Sequence, residues 1–150
     1  MIQTETNPEQ TNLKQLIGQL VSRYQPVAVQ QNSFFINNVP QDHYASADAA
    51  SLAAMMGSLL YIVARCSNNS CLHISTICQE EMVTVSLRDN NATNNYAVLY
   101  EFQHLKILAH PLRGFLDINT IRNKETIISF SFENIRSTAS NGIVRELKRA

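Results

Sequence analysis

Apolar residues recur at helical spacing through Asp48 to Cys66, DAASLAAMMGSLLYIVARC. Leu52, Met55, Met56, Leu59, Leu60, Val63 and Cys66 follow the i, i+3, i+4, i+7 pattern of a wide buried face. The spacing predicts one long central helix. Ser46 is the expected N-cap, Asp48 falls in the first turn where a carboxylate favours the helix dipole, and Asn68-Asn69 forms the stop. Beside the core face, Ser58, Ile62 and Arg65 line up along a second stripe.

Earlier in the chain, Pro8 to Tyr24 carries a narrower stripe of Leu13, Leu16, Ile17, Leu20 and Val21. This predicts a first helix, with Pro8 in its opening turn and Pro26 at its end or at a kink. The stripe is too apolar for a solvated helix, so it must pack on its own chain or on a second copy.

Period-two alternation marks the strands. SFFIN is an aromatic-rich strand, and His43-Tyr44-Ala45 is a short one. Cys71 to Gln79 and Met82 to Arg88 alternate on either side of Glu80-Glu81 and predict an antiparallel hairpin. Asp89 to Asn95 is a polar loop. Tyr96 to His110 returns to helical spacing and stops at Pro111, with Gly114 allowing the turn. Phe115 to Ile121 and Glu125 to Phe132 predict a second hairpin, and Gly142 to Ala150 a short terminal helix. Hairpins separated by helices predict an α+β two-layer sandwich: a mixed, mainly antiparallel sheet with helices on one face. The expected core includes Leu52, Leu59, Val63, Val85, Ile118 and Phe130.

Composition narrows the function. Lysine plus arginine equal aspartate plus glutamate at 12 each, so the net charge is zero. The charges are interspersed, without the basic stripe of a nucleic-acid surface. The N-terminus lacks the layout of a signal peptide, and the central apolar run is short for a bilayer span. The expected location is the cytoplasm. Cys66, Cys71 and Cys78 have no metal-site spacing and read as free thiols. Cys71 and His73 share a strand face, but zinc wants about four ligands and no others converge on them.

Four motifs then stand in a telling order. Asp48 leads the central helix, which continues as Ser58-Leu59-Leu60-Tyr61-Ile62-Val63-Ala64-Arg65. A strand ends in Leu87-Arg88-Asp89-Asn90-Asn91-Ala92-Thr93. The last long helix leads into Leu112-Arg113-Gly114-Phe115-Leu116-Asp117-Ile118. Lys124-Glu125-Thr126-Ile127-Ile128-Ser129-Phe130 opens the final strand. Over Pro26 to Phe132 this resembles the ATP-binding domain of sensor histidine kinases, the GHKL or Bergerat fold. The resemblance divides the chain into an N-terminal helix (1–25), a histidine-kinase-like domain (26–133) and a C-terminal tail (134–150).

The resemblance implies site residues and also departures. Asp89 matches the carboxylate that accepts from the adenine amino group; without the family it reads as a turn or cap residue. Ser58 and Arg65 match polar positions on the central helix, and Thr126 the pocket hydroxyl. Ile62 stands at the asparagine that holds Mg²⁺, and its side chain has no oxygen to offer a hard cation. Asn91 and Thr93 replace glycines, and no glycine lies between Asn95 and His110. The first forty residues hold no phosphoacceptor histidine.

The implied function is a degenerate, pseudokinase-like docking module in bacterial two-component signalling. It has no catalytic residues and no metal, and it binds ATP weakly or not at all, without Mg²⁺. Its partner is a protein, with a homodimer through the first helix as one form, and neither nucleic acid nor membrane. One alternative is a divergent but working ATP-binding kinase component. The other is a histidine-phosphotransfer-like protein with a vestigial ATPase domain.

Overall fold

In a computed structural model of the chain, residues 10–91, 96, 100–122 and 124–135 are described. The expected Pro8 start, Thr93, and the expected terminal helix at Gly142 to Ala150 lie outside them. The elements are β1 (Gln10–Asn12), α1 (Leu13–Gln30), β2 (Phe34–Asn37), β3 (Tyr44–Ser46), α2 (Ala49–Cys66), β4 (Cys71–Cys78) and β5 (Met82–Asp89). After them come α3 (Tyr100–Ala109), a 3-10 turn (His110–Leu112), β6 (Phe115–Ile121) and β7 (Glu125–Glu133).

The main sheet runs β2-β4-β5-β7-β6. Its β2–β4 pair is parallel and the others antiparallel. The helices cover one face. Alternation explains this: Leu72 and Ile74, Val83, Val85 and Leu87, and Ile128, Phe130 and Phe132 all point to the buried side. Leu52, Leu59, Val63, Val85 and Phe130 are buried as expected, while Ile118 is partly buried against the core.

α2 holds the centre of the helical layer, and nine of its residues are buried. Its length and mean hydropathy of 1.5 reach those of a membrane span, beyond what the sequence reading allowed, yet half of it is buried inside the fold. The cap also differs from expectation. Asp48 is the N-cap, accepting from the Ser51 N–H at 3.0 Å and the Ser51 hydroxyl at 2.6 Å. Ser46 is held in strand pairing with Gln10 and accepts nothing from the helix.

α1 begins later and ends later than its stripe predicted, and it runs unbroken through Pro26, across the 25/26 division. A proline in a helix removes one backbone bond. Here tertiary contacts hold the segment: Ala28 is buried, and Gln25 grips the edge of β2. The Gln25 side chain accepts from the Phe35 N–H at 2.8 Å and donates to the Phe35 carbonyl at 3.3 Å. Leu13, Ile17 and Leu20 are buried in the core of their own chain. The apolar stripe is therefore satisfied internally, and its buried residues are closed to a second copy. The turn before β6 differs as well, since Arg113, with φ 53°, takes the left-handed conformation. Gly114 is needed for space: a Cβ there would lie 2.5 Å from Phe130 Cε1 and 2.8 Å from the Ser131 carbonyl oxygen.

Candidate functional site

Asp89 ends β5. The alternation that buries Val83, Val85 and Leu87 carries on into it, so its carboxylate lies on the core face, 1% exposed. Directly across the ladder stands Thr126, also buried. The Thr126 hydroxyl lies 3.4 Å from that of Thr120.

A buried carboxylate needs donors. The Tyr96 hydroxyl donates to Asp89 Oδ2 at 2.6 Å, and the Asn91 backbone N–H donates to Oδ1 at 2.8 Å. Tyr96 is itself 1% exposed and stacks on Phe102 of α3, with ring centroids 6.1 Å apart. The chain after β5 thus brings an aromatic side chain back over Asp89 and seats it in the core. Asn91 also donates through its side chain to the Asn68 carbonyl, tying this loop to the end of α2.

Ser58, Ile62 and Arg65 face α3 across a groove of about 310 Å³, which Glu101, His104 and Leu108 line from the other side. Ile62 is buried and offers no oxygen. Arg65 Nη2 donates to Glu101 Oε2 at 2.6 Å. Its guanidinium carbon lies 5.6 Å from the centre of the Tyr61 ring. The hydrogen bond to Glu101 raises Arg65 above its ordinary pKa. Glu101 is lowered by its own backbone N–H first and by Arg65 next. Both side chains are about two-fifths exposed, at 39% and 42%, so the pair adds little stability. What it does is occupy the cation.

The structure therefore gathers the expected residues into two pairs. Asp89 and Thr126 share a cross-strand position, and Ser58 and Arg65 share the α2–α3 groove. Sequence reasoning missed Tyr96 and Glu101. A carboxylate continuing an apolar alternation needs a buried donor, and Tyr96, just beyond the polar loop, is the first phenol after it. Among the described residues no group of three or more His, Cys, Asp or Glu side chains converges as for a metal.

No protein-family model matches the sequence, and no curated protein matches it. Solved structures do. The histidine kinase AdeS of Acinetobacter baumannii superposes with a TM-score of 0.72 at 12% identity, over 89% of this chain and 71% of that one. The nucleotide-free catalytic domain of the histidine kinase ThkA gives 0.67 at 14% identity, over 87% of this chain and 97% of that one. ThkA in complex with the response regulator TrrA gives 0.64 at 15% identity, over 85% of this chain and 42% of that one. At such identities the likeness is one of fold: this chain is built as histidine-kinase catalytic domains are, a GHKL-like α+β sandwich.

Proposed function

We propose that this chain is a kinase-like ATPase fold used for protein docking in two-component signalling, with nucleotide bound weakly or not at all. The observation that carries the reading is the Tyr96–Asp89 hydrogen bond at 2.6 Å, made by a side chain 1% exposed. In the family the resemblance points to, that carboxylate receives the adenine amino group. Here the protein's own phenol donates to it instead. The residues present do not fit Mg²⁺, because Ile62 supplies no oxygen where the cation would need one. Arg65, the remaining cation of the groove, is bound to Glu101. Phosphoryl transfer is almost entirely positioning and electrostatics, and these are the parts that supply both. The solved complex of ThkA with a response regulator supports a protein partner of that kind, and the cytoplasm is the setting that goes with it.

Magnitudes favour weak binding. A hydrogen bond to a charged group contributes about 1.5–3 kcal/mol, whereas micromolar affinity needs about 8 kcal/mol. Calorimetric titration with ATP, with and without Mg²⁺, should give a Kd no tighter than about 0.1 mM, or about 5.5 kcal/mol, and little effect of the metal. Low-micromolar, Mg²⁺-dependent binding abolished by Asp89→Asn would overturn the reading and restore the working kinase component.

A further inference from the structure

The open face of the sheet, away from the helices, carries a nucleophile with an imidazole beside it. Alternation on β4 buries Leu72, Ile74 and Thr76 and turns Cys71 and His73 outward. Cys71 Sγ lies 3.3 Å from His73 Nε2. On the other side of the ring, His73 Nδ1 lies 3.0 Å from Asn38 Nδ2. Asn38 is itself anchored to β4, its backbone N–H donating to the Ile74 carbonyl at 2.8 Å. Both ring nitrogens are thus engaged. With the Asn38 amide donating to Nδ1, the ring carries its hydrogen on Nε2, and that N–H donates to sulfur. That contact fixes the sulfur beside the imidazole on the outward side of the strand.

The surroundings carry both signs of charge, as suits a small molecule that bears carboxylate and ammonium groups together. Arg88 stands opposite His73 in the ladder. A cleft of about 410 Å³ opens beside His73, lined by Asn38, His73, Ser75, Arg88, Asn90 and Glu125, with Arg88 Nε 3.5 Å from Glu125 Oε1. The other thiols are placed differently. Burial pushes both Cys66 and Cys78 up, away from the reactive form.

We propose that Cys71, activated by His73 and held in line by Asn38, is a reactive thiol that takes up a small disulfide of the glutathione class as a mixed disulfide. The thiol releases its proton to water. The thiolate sulfur attacks one sulfur of the small disulfide, a new S–S bond forms and the old one breaks. One small thiolate leaves and takes a proton from water. Cys71 is oxidised to the mixed disulfide while the small disulfide is reduced to one free thiol, so atoms and electrons balance.

The test exposes the whole chain to oxidised glutathione, and in parallel to iodoacetamide, at neutral pH. Peptide mapping by mass spectrometry then follows each cysteine. Cys71 should be modified before Cys66 and Cys78. His73→Ala removes the one hydrogen bond to the reacting sulfur and should slow Cys71 by about three-fold or more, with Cys66 and Cys78 unchanged, and Asn38→Ala should slow it less. The proposal is overturned if Cys71 reacts no faster than the other cysteines, or if His73→Ala leaves its rate unaltered. Should His73→Ala unfold the chain, all three rates rise together, and the exposed Asn38→Ala variant decides by the same criterion.

Discussion

Asp89 carries a carboxyl group, is buried and ends a strand whose other inward residues are apolar. Such a residue stays in place only while its donors do. Tyr96→Phe keeps the ring and its stacking on Phe102 but removes the hydroxyl. It should destabilise the fold by about 1.5–3 kcal/mol, the range for a hydrogen bond to a charged group. Urea unfolding of the two proteins measures this, and a difference under about 0.5 kcal/mol would mean that the phenol is not the carboxylate's main donor. The site was half legible in the sequence. Asp89, Thr126, Ser58 and Arg65 were identifiable from motif positions. Tyr96 was not, because the same residue also fits the start of the helical spacing that follows. Periodicity assigns a residue to an element and is silent about where its hydroxyl goes.

Among the elements, the start of α2 shows how capping signals compete. Ser46 and Asp48 are both good N-caps. Pairing with β1 took the first, and the helix took the second. The choice has a pH consequence. The Ser51 hydroxyl, then the Ser51 backbone N–H, hold the Asp48 carboxyl below its ordinary 3.8. A carboxyl lowered by folding contributes stability above its unfolded value, and that contribution is lost as the pH falls through the folded one. Asp48→Asn keeps a capping oxygen but removes the charge. Denaturation midpoints of the two proteins should differ by a constant amount above pH 3.8 and converge below it. A difference that persists unchanged into acid would assign the effect to the amide's shape instead. The long, strongly periodic elements were legible in sequence. β1 was not, since Gln-Thr-Asn has no apolar alternation and is a strand only because β3 lies beside it. The end of α1 was misplaced because Pro26 is a stop signal by itself, overridden here by what Gln25 and Ala28 gain from the sheet.

At the scale of the whole molecule, that grip on β2 matters more than the helix boundary. β2 is an outer strand of the main sheet, and side chains of α1 take three of its outward backbone groups, the Phe35 N–H and the Phe35 and Asn37 carbonyls. Gln25 takes both the N–H and the carbonyl of Phe35. Lys14 Nζ donates to the Asn37 carbonyl at 3.3 Å and to the Val39 carbonyl at 2.9 Å. Gln25→Ala leaves a buried donor and acceptor unpaired, and the cost should be about 1–3 kcal/mol. Thermal or urea unfolding checks it, and light scattering should show more association on warming, since a strand edge is also freed. No change in either measurement would mean that water replaces the amide without loss.

The same clasp makes the sheet asymmetric at its ends. At β2 a glutamine imitates the next strand, and growth is stopped. At β6, the other outer strand, no described strand pairs the far side. A sheet blocked at one end behaves unlike one blocked at neither. Two copies joined through β6 would present a blocked β2 at each extremity, so edge-to-edge stacking terminates at a pair and cannot propagate into a fibre.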